Sequence, residues 1–301
     1  MKLRFNYRSL LIFAFTTQYF LNTRVIAASS ISLPHSPDTT KPKSALKPYR
    51  DIIPERILAK KGFVTIDKVD DRWYLELPDS VLGREILVVS RIARGAADVR
   101  AGMLGYAGDE INENTVTFTR GIGNKIFLNN MSCTEIAQDS SADGLFRSVR
   151  ESNMQPIAAA FDVKAICPES GSDVFDMTDY LNGDNDILFF AGALKKALGL
   201  GALQSDRSFI ETLDVFPSNM EVHTVKTYVR TVGQSPPEPV AFEVNSSMVL
   251  LPKISMHPRC LDPRIGYFAT TYLDFDENPQ RAQEMAMIHG GDCNPRTKTP
   301  I

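Results

Sequence analysis

The stretch EVHTVKTYVRTVGQSPPEPVAFEVNSSMVLL, Glu221–Leu251, decides the fold. Its first part, Glu221–Val232, alternates along its whole length, which is the two-residue period of a half-buried strand. Pro236, Pro237, Glu238 and Pro239 then interrupt the run and read as a turn. From Val240 to Leu251 the alternation resumes, with Phe242, Val244, Ser246, Met248 and Leu250 on one face. Two long alternating runs about a proline turn predict an antiparallel pair with one apolar face.

Upstream, the same period recurs. Gly62–Asp67 (GFVTID) and Trp73–Leu77 (WYLEL) flank Asp70 and Asp71, the layout of a hairpin. Glu85–Ile92 (EILVVSRI) reads as a third strand, and its apolar run Ile86–Val89 suggests burial on both faces. A three-stranded meander of this kind has an apolar face that needs a cover. Arg94–Gly108, rich in Gly and Ala, reads as a loop or loose crossover. Asn114–Arg120 and Lys125–Asn129 form a second hairpin around Gly121–Asn124. A helix is expected from a cap region at Ser140–Asp143, through Leu145 and Val149, to about Asn153. Pro156–Ile166 and Asp173–Met177 read as strands, and Thr178–Leu181 as a helical turn. Phe209, Leu213 and Phe216 give Ser205–Phe216 a spacing compatible with a helix. Beyond Asp276 no pattern is visible. The expected class is α+β, predominantly antiparallel β in meanders and hairpins, with a few short helices.

The N-terminus reads differently. Lys2, Arg4 and Arg8 precede an apolar run, Ser9–Leu21, and small residues follow at Ala27 and Ala28. That is the order of a secretory signal peptide, residues 1–28, cleaved at Ala27 or Ala28. The run is too short for a membrane span, which needs roughly 18–20 apolar residues, and no later segment supplies one. The expected location is therefore outside the cytoplasm: periplasm, cell surface or medium. Residues 29–48, with Pro34, Pro37, Pro42 and Pro48 among Ser, Thr and Lys, read as a disordered linker. Export permits disulfides, but Cys133, Cys167, Cys260 and Cys293 allow three pairings or free buried thiols. The formal charge of -3, from 33 basic and 36 acidic residues, gives no field for nucleic acid.

No catalytic or metal-binding constellation is legible. The four histidines, His35, His223, His257 and His289, are dispersed, whereas a zinc peptidase needs two on one helix face with a glutamate between them. His289 and Cys293 lie four apart with no third ligand in view. Glu169-Ser170-Gly171-Ser172 lacks the first glycine of a nucleophile elbow. Gly121 and Gly123 precede a strand, not a helix, and so mark a turn. Asp184 and Asp186 after Gly183 form part of a calcium loop without its closing glutamate, and read as a polar turn. The pairs Asp70/Asp71 and Glu110/Glu113 read as turn and surface residues.

Three stretches resemble the front domains of a bacterial family of exported, zinc-dependent, metalloprotease-like proteins of the metzincin kind. They are GFVTIDKVDDRWYLELPDSVLGREILVVSRIARGAA (Gly62–Ala97), RSFIETLDVFPSNMEVHTVKTY (Arg207–Tyr228) and LDPRIGYFATTYLDFD (Leu261–Asp276). VTFTRGIGNKIFL and SNMQPIAAAFDVKA, between them, are also similar. The resemblance implies a small front domain, 49–97, a larger one, 98–276, and a divergent tail, 277–301. In that family a peptidase domain follows, bearing H-E-x-x-H-x-x-G-x-x-H and zinc. No such motif occurs here, so no catalytic residue carries over, and no cofactor is expected in this chain. The resemblance implies a non-catalytic portion, cut short or encoded apart from its peptidase. Its partner would be a peptidase domain or chain, with a peptide as the substrate of the pair. The alternative is a free-standing binding or accessory module of the periplasm or cell surface, which a cleft lined by Trp73 and tyrosines would favour.

Overall fold

The computed structural model describes residues 46–54, 59–132, 134–137, 139, 141, 144–233, 236–253, 269–276 and 281–288. In chain order they form α1 (Tyr49–Ile52), β1 (Ala59–Lys61), β2 (Thr65–Val69), β3 (Arg72–Leu77) and β4 (Glu85–Arg94). Next come β5 (Glu110–Arg120), β6 (Lys125–Met131), β7 (Glu135–Ile136), α2 (Phe146–Ser152), β8 (Ile157–Ile166) and β9 (Asp173–Asp176). Then follow α3 (Thr178–Asn182), α4 (Gly192–Leu198), β10 (Leu200–Leu203), β11 (Phe209–Val215), β12 (Asn219–Arg230) and β13 (Glu238–Leu250). β14 (Ala269–Asp274) and β15 (Gln283–Ile288) complete the described elements. The chain is thus predominantly antiparallel β with short helices, as the alternation predicts.

Twelve strands share one sheet, in the order β1-β2-β3-β9-β8-β6-β5-β4-β13-β12-β10, with β11 also on β12. β12 and β13 pair without a break from Asn219↔Val249 to Arg230↔Glu238. Their inward row is apolar except where it carries Thr224, Lys226 and Ser246. The β2–β3 hairpin turns at Asp70 (φ 52), and β5–β6 turns at Gly123 and Asn124, both with positive φ.

The two ends of the sheet approach each other. Phe63 N–H donates to Phe216 O at 3.2 Å, and Lys60 Nζ reaches Leu213 O (2.8 Å) and Asp214 Oδ1 (2.7 Å). Gly62 makes this approach feasible, because a Cβ there would lie 2.1 Å from Phe216 O. The curled sheet encloses one large apolar core. A smaller core lies outside, where α1 covers β8 and β9: Ile53 packs with Ala165, Cys167 and Val174.

Three expectations are corrected. Ser205–Phe216 is not a helix but a 3-10 turn, Ser205–Arg207, followed by β11 on the edge of β12. Its β-branched Ile210, Thr212 and Val215 favour a strand, and of the supposed helix face only Leu213 is buried, while Phe209 and Phe216 are exposed. The meander is also broken: β9 takes the place beside β3, and β4 sits between β5 and β13. The apolar face that needed a cover, with Ile66, Leu75 and Leu77, is buried within this chain. Finally, the patternless tail contains β15, which pairs with β14 from Ala269↔Ile288 to Asp274↔Gln283. The expected helix is present as α2, capped at Leu145 without a side-chain bond. The signal peptide with Ala27 and Ala28, most of the linker, and Cys133, Cys260 and Cys293 lie outside the described residues.

Candidate functional site

The segment between β4 and β5 is folded upon itself, not loose. Arg100 donates to Ala96 O (2.9 Å) and Val99 O (2.6 Å), and its guanidinium lies 4.6 Å from the centre of the Tyr106 ring. Asp109 Oδ2 accepts from the N–H groups of Gly105 and Tyr106, both at 2.8 Å. Gly105 has φ 99, and a Cβ there would meet Val99 O at 2.6 Å. Ala96 and Val99 anchor the loop in the core. A compact loop packed by its own side chains is of the kind that frequently carries function. The loop's tip shows Met103, 89% exposed, with Leu104 and Tyr106 beside it.

Next to the tip lies a groove of about 430 Å³. Leu104, Ile111, Leu194 and Ala197 line it, and Glu110 and Glu113 stand at its rim. Glu110 is paired with Arg91 at 2.8 Å. One wall is α4, which ends at Gly199 in the left-handed conformation (φ 71), where the N–H bonds back to Lys195 and Lys196 carbonyls. Only Leu198 of α4 is buried, so its Ala193–Ala197 face is turned to the groove.

Behind the groove, residues 184–191 lack regular structure and enter the interior at Ile187–Phe190. A buried irregular backbone needs partners for its polar groups. Ser90 and Ser246 hydroxyls both donate to Leu188 O. Asn112 donates to Asp186 O (2.6 Å) and Phe189 O (2.9 Å). Ala191 N–H donates to Ile111 O at 3.1 Å. Phe189 and Phe190 fill the centre, and Phe190 packs edge-on against Tyr228 and Phe242. The enclosed space therefore holds side chains where a ligand-carrying barrel would hold cargo.

Two other hollows have mixed polar and apolar linings. One, of about 420 Å³, is lined by Lys47, Tyr74, Asn124, Asp162 and Lys164. There the Lys125 ammonium at 2.7 Å holds the Asp162 carboxyl below its usual range. The other, of about 160 Å³, lies by Glu76, Cys167 and Ser170.

The residues singled out in the sequence stay apart. His223 is half-buried on the outer row of β12, opposite Thr212 and Asn245. His35, His257, His289 and Cys293 lie outside the described residues. Among the described residues, no three of His, Cys, Asp and Glu are grouped to hold a metal ion. Asp184 and Asp186 serve Lys195, at 2.8 and 3.6 Å. Ser170 bonds Ser172 within a turn. Trp73 is buried with Lys68 over its ring and lines none of the three hollows described above. Among the described residues, no helix is long and apolar enough to cross a membrane. The sequence reading missed the loop's internal closure, although Arg100, Tyr106 and Asp109 were its visible signal. It also missed Lys226, hidden in an alternating strand.

Residues 108–290 match a family described as Domain of unknown function (DUF5117), and residues 46–95 match Domain of unknown function (DUF5118). No curated protein and no solved structure matches the chain.

Proposed function

Since the chain belongs to the DUF5117 family, with a DUF5118 segment ahead of it, we propose that it is the non-catalytic front part of an exported zinc-metallopeptidase-like protein. Its loop 95–109 and the adjoining groove form the face that packs against a peptidase domain and shapes the approach of a peptide substrate. The resemblance of Gly62–Ala97, Arg207–Tyr228 and Leu261–Asp276 supports the association with a peptidase.

One observation carries the choice of face: a pre-closed loop displays Met103, Leu104 and Tyr106 beside an apolar hollow. Exposed Met and Tyr on a rigid frame are typical anchors of protein interfaces. Because the loop is already ordered, docking sacrifices little conformational entropy. Zinc, in this reading, belongs to the partner domain.

The test mixes the full chain with a purified H-E-x-x-H domain from a metallopeptidase-like protein bearing the same front stretches, its own front domains removed. Calorimetry should report a one-to-one complex. The double substitution Leu104→Asp and Leu194→Asp should weaken it by more than about tenfold, the loss of a central apolar anchor. Absence of a complex with the wild-type chain sinks the proposal.

A further inference from the structure

Lys226 lies on the inward row of β12 and is fully buried. Its Nζ donates to three consecutive carbonyls at the end of α3: Leu181 (2.6 Å), Asn182 (2.9 Å) and Gly183 (2.9 Å). The ring centre of Phe189 lies 3.9 Å away. An ammonium has three N–H donors and no acceptor, so three oxygens match it in number. α3 has five residues and no left-handed glycine at its end, because Gly183 is extended (φ -69, ψ -177). Its last carbonyls therefore lack the usual backbone closure. The Asn182 Oδ1 atom nearby is also buried, with no hydrogen-bond partner among the described residues.

Converging carbonyls with an aromatic face are the surroundings of an alkylammonium or a large monovalent cation. The sequence Asn182-Gly183-Asp184-Asn185-Asp186 has the look of a partial cation loop. In the fold the Asp184 carboxylate accepts from Lys195 (2.8 Å) and the Tyr228 hydroxyl (3.1 Å). The carbonyls of Leu181, Asn182 and Gly183 turn to Lys226. We propose that residues 181–183 form a cation cradle, and that Lys226 supplies from within the chain the cation that the cradle would otherwise take from solution. The donors so placed tie down the end of α3, immediately ahead of residues 184–191.

The charged group acting on this ammonium is Asp184, whose carboxylate also accepts from the Tyr228 hydroxyl and Lys195, with Asp186 3.6 Å from Lys195. Only Asp184 is a near countercharge, and it is shared with Lys195. The carbonyls therefore act as the principal ligands.

The full-length Lys226→Ala chain removes the amine and leaves the oxygens. Amide exchange at Leu188–Phe190 should accelerate by about tenfold or more, the equivalent of losing one charged hydrogen bond. Adding methylammonium or potassium should restore protection, while tetramethylammonium, too large for the cradle, should not. Recovery with neither cation, or equal recovery with tetramethylammonium, overturns the proposal. If Lys226→Ala does not fold, the wild-type chain decides. At pH 6 its NMR spectrum should show a slowly exchanging side-chain ammonium, missing in Lys226→Met or Lys226→Arg. A wild-type spectrum without that signal overturns the proposal equally. Neither readout involves a partner, so failure of docking would leave this result standing.

Discussion

Two irregular segments of this molecule solve the same backbone problem in opposite ways. The loop 95–109 lies on the surface and closes on itself: Arg100 caps Ala96 and Val99, and Asp109 caps Gly105 and Tyr106. The segment 184–191 runs inside from Ile187 to Phe190 and is held by groups remote in sequence, namely Ser90, Asn112 and Ser246, while Lys226 takes the Gly183 carbonyl just ahead of it. Water can serve the first where its own side chains do not. For the second, every carbonyl without a donor would cost about 1–3 kcal/mol. The difference separates two tasks. The interior segment fixes the sheet from within, and the loop presents apolar groups outward. The interior should therefore dominate stability and the loop should dominate binding.

The largest effect tests the interior side. Phe190→Ala removes a fully buried ring packed on Tyr228 and Phe242. It should cost about 3–5 kcal/mol in urea unfolding, as other buried Phe truncations do. A loss below about 1 kcal/mol would mean that residues 184–191 are not part of the cooperative core, and the contrast between the two segments would fail.

A smaller effect sharpens the same side through pH. Burial pushes the Lys226 ammonium down to about 7, against the opposing pull of Asp184. In the unfolded chain it returns to the ordinary lysine value of 10.5. Between those values the unfolded state binds more protons, so stability should rise with pH. The slope approaches about 1.4 kcal/mol per pH unit and vanishes below pH 7, where both states are protonated. Burial also raises the Tyr180 and Tyr228 hydroxyls, so the window is best read below pH 9. Denaturant titrations from pH 6 to 9 should show this slope in the wild type and lose it in Lys226→Met. Parallel curves for the two would remove Lys226 as the cause.

How much of this was legible depends on where the partners of a segment lie. The β2–β3, β5–β6 and β12–β13 hairpins were readable because alternation and turn residues are local signals. The placement of β9 beside β3, and of β4 between β5 and β13, was not, because strand order is set by packing between distant stretches. β11 was misread because Phe209, Leu213 and Phe216 fit either period, and the pairing with β12 settled it. The interior segment was invisible for a related reason. Asp184-Asn185-Asp186 reads as a polar turn, which it is, and nothing local shows that the carbonyls before it meet a lysine from another strand or that Ile187–Phe190 after it are buried. The loop 95–109 carried its own staples in the sequence, but its Gly and Ala content masked them.

The smallest expected effect on stability is the most informative about the loop. Met103 is almost fully exposed at the tip, and the polar bonds that close the loop belong to Arg100 and Asp109. Met103→Ser should therefore shift the unfolding free energy by no more than about 0.5 kcal/mol, the usual range for an exposed site. In the proposed interface the same side chain would be desolvated, so the substitution should weaken the complex with the peptidase domain several-fold. Measuring both on one preparation separates the roles. Unchanged stability with weakened binding keeps the loop as the presenting element. A large loss of stability would place Met103 in the packing of the loop itself. Unchanged binding would move the contact away from the tip and leave the groove wall, at Leu194 and Ala197, as the surface to probe.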